Sequence, residues 1–346
     1  MWILDIDKNK AEQYTNIFKK NNSKLFNKKG ERNYCSSQIK KTKAYKYLTK
    51  KRFIEFLTAL PKDLIKLHED LFSEITLGLF HQNEWECLIK DKEKNEADLS
   101  ASQLSLRKKY KPFTDEFEAI TLFFNYKSFI VEKKQVSYSL AELMKINTCT
   151  YCNRQYTLTI YDEKKKNGLI RPEFDHWLPQ SLYPDLSLSY FNLIPSCKFC
   201  NSSLKRRTDM KLNEYIHPYI DKKAGFSFRY LPLSNNQYAV NTEVDSDLDP
   251  NAKSKVQNTL DLFRIKEIYN AHSSFELQDI MMLANTNPKD YIETLINTVI
   301  KDLHLSKKDA YRAIFGIEIE DDSYLNRPLS KFKMDIFKQL KEEKDL

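Results

Sequence analysis

Apolar residues recur at helical spacing through the first part of the chain. Between Arg52 and Gln82, Leu64, Leu67, Leu71 and Ile75 fall on one helix face, and Pro61 separates two helices there. Residues 88–112 are polar and lysine-rich, the pattern of a loop followed by a surface helix, and helical spacing resumes over 115–124 and 139–146. The texture changes at Thr148. Residues 156–161 are rich in Tyr, Thr and Ile, which predicts a strand; a lysine-rich turn ends at Gly168, and an extended run leads into Phe174. Phe226, Phe228 and Tyr230 alternate with other residues, a Ser-Asn-Asn turn follows, and Tyr238 and Val240 continue the alternation, so a hairpin is expected over 226–244. Helix returns after Pro250. Val256, Leu260 and Phe263 share a face, as do Ile292, Leu295, Val299 and Leu303 behind an Asn287-Pro288 start, and Pro328 is expected to open the last helix. The pattern describes an α+β chain, mostly α-helical, in three parts. These are a basic, mainly helical region 1–145, a small mixed core 146–220, and a β-hairpin plus helices over 221–346.

Composition narrows the class. With 346 residues, 41% hydrophobic, 30% charged and only 5 Gly, the chain fits neither a disordered nor a fibrous protein, and it can bury at least one sizeable core. No run of about 18 apolar residues occurs, and the opening MWILDIDKNK lacks a basic segment followed by an apolar one, so no membrane span or secretory leader is expected and the location is cytoplasmic. The net charge of +8 is uneven. Residues 1–52 hold 15 Lys or Arg against 4 Asp or Glu, which is +11 and leaves −3 for the remainder. Tyr14, Phe18, Phe26, Tyr34, Tyr45 and Tyr47 interleave with these cations, an arrangement suited to a nucleic-acid backbone with exposed bases, to an acidic partner protein, or to a solvated face.

Cysteine spacing adds a metal. Cys149 and Cys152 form one Cys-x-x-Cys pair, Cys197 and Cys200 another, with 44 residues between them. Four thiolates in two knuckles make a tetrahedral Zn²⁺ site with no open position, hence structural. Cys35 and Cys87 have no partner in spacing and read as ordinary thiols.

Between the two pairs runs Glu173-Phe174-Asp175-His176-Trp177-Leu178-Pro179, and Phe191-Asn192-Leu193 leads into Cys197 and then Cys200-Asn201. Phosphodiester hydrolysis needs a base for water and a divalent ion to stabilise charge on the phosphate and the leaving oxygen. An imidazole beside a carboxylate supplies both requirements. Asp-His-x-x-Pro followed by Asn-Leu-x-x-x-Cys-x-x-Cys-Asn resembles the HNH endonuclease family, whose core is a ββα-metal finger often buttressed by a four-cysteine zinc site. The resemblance covers about 70 residues and implies roles for individual positions. His176 would be the general base, Asp175 a ligand of catalytic Mg²⁺ or Mn²⁺, and Asn192 the brace of the loop carrying His176. Asn201 stands where the family usually has His and would be the second metal ligand, with His217 the substitute candidate. Lys205, Arg206 and Arg207 follow on the expected helix, where they meet the substrate backbone or complement the helix macrodipole.

The segments CTYCNRQYT, RPEFDHWLPQSLYP, LSYFNLIPSC and FRIKEIYNAH resemble more narrowly the PtuB-like HNH effectors of bacterial antiphage defence, found in Septu-like and retron systems. That likeness implies a nucleic-acid substrate and an ATPase partner that gates the nuclease, since the chain has no Gly-x-x-x-x-Gly-Lys-Ser/Thr motif of its own. Two other readings compete. One is a non-catalytic zinc-ribbon module that binds nucleic acid or protein; the other is a homing or restriction HNH nuclease.

Overall fold

A computed structural model of the chain describes residues 2–23, 25–27, 36–162, 167–235, 237–285 and 291–344. Tyr34, Cys35, the lysine-rich turn before Gly168 and the Asn287-Pro288 start signal lie outside or partly outside these residues. Among the described residues the architecture is α+β and mostly helical, and the strands form separate two-stranded antiparallel sheets.

The N-terminal part carries α1 (Lys8–Asn21), α2 (Ser37–Lys41), α3 (Lys43–Tyr47), α4 (Lys50–Thr58), α5 (Leu64–Ile75), α6 (Gln82–Lys90), α7 (Ala101–Tyr110), α8 (Thr114–Phe123) and α9 (Lys134–Met144). Pro61 does separate α4 from α5, opening a short 3₁₀ turn between them. The final predicted segment stops at Met144 instead of residue 146, because Lys145 turns into the left-handed conformation. In α1 the buried positions are Ala11, Tyr14, Thr15 and Phe18, the i, i+3, i+4, i+7 stripe of an amphipathic helix. Tyr14 and Phe18 therefore face the core rather than a ligand, while Lys8, Lys19 and Lys20 of the same helix are exposed. The interleaving read in the sequence is here helical periodicity.

The middle part contributes β1 (Ile160–Asp162), β2 (Asn167–Ile170), β3 (Glu173–His176) and β4 (Leu193–Ser196). β1 is shorter than the predicted strand. Residues before it pair backward onto the first cysteine knuckle, with Thr157 N–H on the Asn147 carbonyl at 2.8 Å and Cys149 N–H on the Gln155 carbonyl at 3.0 Å. β5 (Phe226–Pro232) and β6 (Tyr238–Val244) form the expected hairpin. Then come α10 (Pro250–Leu262), α11 (Ile265–Asn270), α12 (Gln278–Asn285), α13 (Tyr291–Leu303), α14 (Lys307–Phe315) and α15 (Ser330–Lys344). Side chains close both open edges of the hairpin. Asp335 and Gln339 of α15 accept the N–H groups of Phe228 and Tyr230, and Asn270 accepts that of Val240. Paired edges do not recruit other strands.

One continuous apolar cluster runs from Trp2 to Leu340 through all three parts. The N-terminal residues lie against the middle part, where Trp2 donates to the Thr150 carbonyl at 3.0 Å and Leu4 to that of Pro218 at 2.7 Å. No helix among the described residues is long and apolar enough to cross a membrane.

Candidate active site and metal centre

The four Cys-x-x-Cys thiols, 44 residues apart in sequence, meet in space. The Sγ atoms of Cys149, Cys152, Cys197 and Cys200 all lie within 4.8 Å of one another and all four residues are buried. Tetrahedral thiolate sites with Zn–S bonds of about 2.3 Å require this spacing, so the donor set fits Zn²⁺. The knuckles are formed by backbone geometry. Cys200 N–H points at Cys197 Sγ at 3.5 Å, and Asn153, with φ of 49°, turns the chain after Cys152. Asn153 is itself fixed by its Nδ2, which donates to Thr148 Oγ1 at 2.8 Å and to the Tyr324 carbonyl at 2.9 Å. Tyr269, in the FRIKEIYNAH segment, donates its hydroxyl to the Cys152 carbonyl at 2.7 Å. The C-terminal region thus braces the first knuckle.

β3 and β4 pair with Glu173 opposite Ser196 and His176 opposite Leu193. Cys197 follows β4 directly, and a short helical segment, Phe199–Lys205, carries Asn201. Two strands and a helix, joined by the cysteine cluster, hold a carboxylate, an imidazole and an amide at the edge of one large cleft. Its volume is about 1320 Å³, and Asp175, His176, Asn201, Arg206 and Arg207 line it opposite residues of α6, α7 and α8.

The carboxylate of Asp175 is only 3% exposed and both its oxygens are engaged. Tyr151, between the first two cysteines, donates its hydroxyl to Oδ2, and Lys205 Nζ lies 3.3 Å from Oδ1. His176 is half-buried, with Tyr126 edge-on to its ring at 4.6 Å and Nε2 2.9 Å from the Ser187 carbonyl. A carbonyl only accepts, so Nε2 carries the hydrogen and Nδ1 is the basic nitrogen. Burial pulls the imidazole down from its usual range to about 4. The ring is neutral at physiological pH and able to take a proton, though a weaker base than the free side chain.

Asn192 is fully buried. Its Oδ1 accepts from Leu178 N–H at 2.8 Å, and its Nδ2 donates to the carbonyls of Leu178 and Leu186 at 3.1 and 3.0 Å. It closes the crossover between β3 and β4 on itself. The helices then fix the crossover from outside. His68 of α5 meets Asp185 at 2.7 Å, Trp85 donates to the Leu182 carbonyl at 2.8 Å, and Tyr14 donates to that of Leu188 at 2.9 Å. Ser187, whose carbonyl orients His176, donates its hydroxyl to the Phe124 carbonyl.

Asn201 is half-buried and donates Nδ2 to Glu173 Oε2 at 2.8 Å, which leaves its Oδ1 for another partner. Asp175 and Asn201 both line the cleft and carry oxygen atoms of the type that could hold Mg²⁺ or Mn²⁺, with Tyr151 and Lys205 already on the carboxylate. His217 is not brought to this place. It is 1% exposed, packs on the Trp177 ring at 4.6 Å, and accepts Tyr219 N–H on Nδ1 at 3.1 Å, away from the residues lining the cleft.

Lys205 also departs from expectation. It turns inward, 1% exposed, while Arg206 and Arg207 line the cleft. The sequence held a signal for it, since Lys205 stands four positions after Asn201 and so one helical turn away. Glu173, two positions before Asp175 on one strand face, carried a similar signal. Tyr126 and the Ser187 carbonyl carried none, because only the fold brings them to His176.

This geometry defines a unit of two strands and a helix around a buried four-cysteine cluster, with polar side chains lining a cleft. In sequence the chain is distantly related to the Septu protein PtuB of Bacillus thuringiensis, with 36% identity over 89 residues, 26% of this chain and 30% of that protein. It is also similar to protein ea31 of Escherichia phage lambda, 43% identical over 54 residues, 15% of this chain and 18% of that protein. The chain thus matches less than a third of the length of either relative. No family model and no solved structure matches it.

Proposed function

We propose that this chain is a metal-dependent endonuclease of the HNH type, hydrolysing phosphodiester bonds of DNA or RNA as the effector of a bacterial antiphage defence complex. The observation that carries the reading is the convergence of Asp175, His176 and Asn201 on one cleft beside four clustered cysteines. A module that only binds has no use for a neutral imidazole lining the same cleft as a carboxylate and an amide. In this reading His176 Nδ1 takes a proton from the attacking water, held in orientation by the Ser187 carbonyl. Asp175 and Asn201 hold Mg²⁺ or Mn²⁺, which when bound supplies charge stabilisation at the phosphate. Asn192 keeps the crossover rigid, Arg206 and Arg207 meet the substrate backbone, and Zn²⁺ on the four cysteines is structural. The likeness to the Septu protein PtuB supports the defence role and a defence-system partner, which in this reading is an ATPase.

The test is incubation of purified protein with plasmid, single-stranded DNA and total RNA, with Mg²⁺ or Mn²⁺ and with EDTA, alone and with the proteins of its native operon. Metal-dependent cleavage by the wild type and none by His176→Ala is expected. Equal cleavage by both would sink the assignment, and recovery of no ATPase in a pull-down would remove the partner.

A further inference from the structure

We propose that Lys205 is a positioning residue of this centre, a tethered cation that limits how tightly Asp175 takes up a divalent ion. This inference rests on the nuclease reading. Lys205 closes the helical segment that also carries Asn201, one turn earlier, so a single element brings both an amide and an ammonium to β3. The ammonium donates to the His176 carbonyl at 2.7 Å and stands 3.3 Å from Asp175 Oδ1. Tyr151 holds the other carboxylate oxygen.

Removing a lysine from water is costly unless it is paired, and Lys205 has two partners, a carboxylate and a carbonyl. Both belong to the residues that carry the chemistry. The contact to the His176 carbonyl fixes the end of the strand from which the imidazole projects. The contact to Asp175 has an electrostatic consequence. An ammonium beside one carboxylate oxygen repels a divalent cation approaching the same group, in a site too dry for water to screen the repulsion. An ion on Asp175 must share the carboxylate with Lys205 or push the ammonium aside. Metal uptake is then coupled to movement of the helix that bears Asn201.

Mn²⁺ binding to the zinc-loaded full chain, read from the electron paramagnetic resonance of free Mn²⁺, tests this without any cleavage assay. Lys205→Met is expected to bind Mn²⁺ roughly tenfold or more tightly than wild type, while Lys205→Arg, which keeps the charge, stays near wild type. Lys205→Met should also melt lower than wild type without Mn²⁺ and recover much of the difference when Mn²⁺ is added. A lysine that merely supports the fold would give unchanged or weaker binding in the folded variant, and that result overturns the proposal. Lys205→Gln keeps a donor for the His176 carbonyl and gives the same comparison if Lys205→Met does not fold. Failure of both to fold with or without Mn²⁺ makes Lys205 a scaffold residue and also overturns it. Asp175→Asn separates the two levels. If Mn²⁺ binding does not depend on Asp175, the metal reading fails and takes this inference with it; if it does depend on Asp175 but neutralising Lys205 does not tighten it, only this inference fails.

Discussion

Asn192 and Asn201 carry the same side chain in environments that ask different things of it. Asn192 has no exposure and satisfies one backbone donor and two backbone acceptors, so its amide replaces water for backbone groups of the crossover that its short 3₁₀ turns leave over. Truncation at Asn192→Ala strands those groups in the interior. A stability loss of about 3 kcal/mol follows, since each unpartnered buried group costs on the order of 1–3 kcal/mol. Asn201 is half-buried on a helix surface and bonds to one carboxylate. Asn201→Ala should cost under about 1 kcal/mol and yet abolish metal-dependent cleavage. Urea unfolding and cleavage measured side by side check the contrast. Should Asn201→Ala unfold as easily as Asn192→Ala, or keep full activity, the division between brace and ligand is wrong.

At the scale of elements, the cysteine cluster does what a larger sheet would do in a bigger domain. β3 and β4 pair over only four residues each, too few to stand alone in water. The cluster binds the exit of β4 to the segment 149–152, which in turn bonds to Trp2, Tyr269 and Pro195. Replacing Cys152 with Ser therefore breaks more than one ligand bond. The variant should lose most of its bound zinc and its cooperative unfolding transition, and prolonged chelation of the wild type should do the same, because binding of a structural Zn²⁺ is coupled to folding. Zinc content of about one per chain before chelation, and calorimetry before and after, provide the check; an unchanged transition in the zinc-free protein would refute it. This is also where the sequence was most legible. The Cys-x-x-Cys pairs and the hairpin over 226–244 depend on local spacing, which the text of the chain displays. β1 came out short because the residues before it pair with the cysteine knuckle, a contact set by the turn of the knuckle and not by strand propensity. The inward turn of Lys205 and the approach of Tyr126 and Ser187 to His176 depend on how elements stack, and periodicity is silent on that.

For the molecule as a whole, the telling position is His217, because it sits where the three parts of the chain meet. Its ring packs on Trp177 beside the candidate base, the adjacent Pro218 carbonyl accepts Leu4 N–H from the N-terminus, and Ile216 N–H bonds to Thr259 of α10 at 3.0 Å. The charged groups at hand do not compensate a proton there. Asp221 accepts the backbone N–H of His217 and the ammonium of Lys255, and that ammonium opposes a second positive charge. Burial first, and Lys255 second, push the His217 imidazole down to about 3, far below the value near 6.5 it has in an unfolded chain. The unfolded chain therefore binds a proton that the folded chain refuses throughout that interval. Stability from this group is fully present above about pH 6.5 and is lost progressively as pH falls toward 3, the direction opposite to that of a histidine gaining an acidic partner. Protonation would also convert Nδ1 from acceptor to donor and break its bond with Tyr219 N–H. His217→Asn places an amide oxygen near the Nδ1 position and cannot protonate, so its melting temperature should fall less steeply between pH 7 and pH 5 than that of the wild type, with the two curves diverging below about pH 6.5. Parallel curves across that range would show that His217 is protonated in the fold at no cost and would refute the prediction.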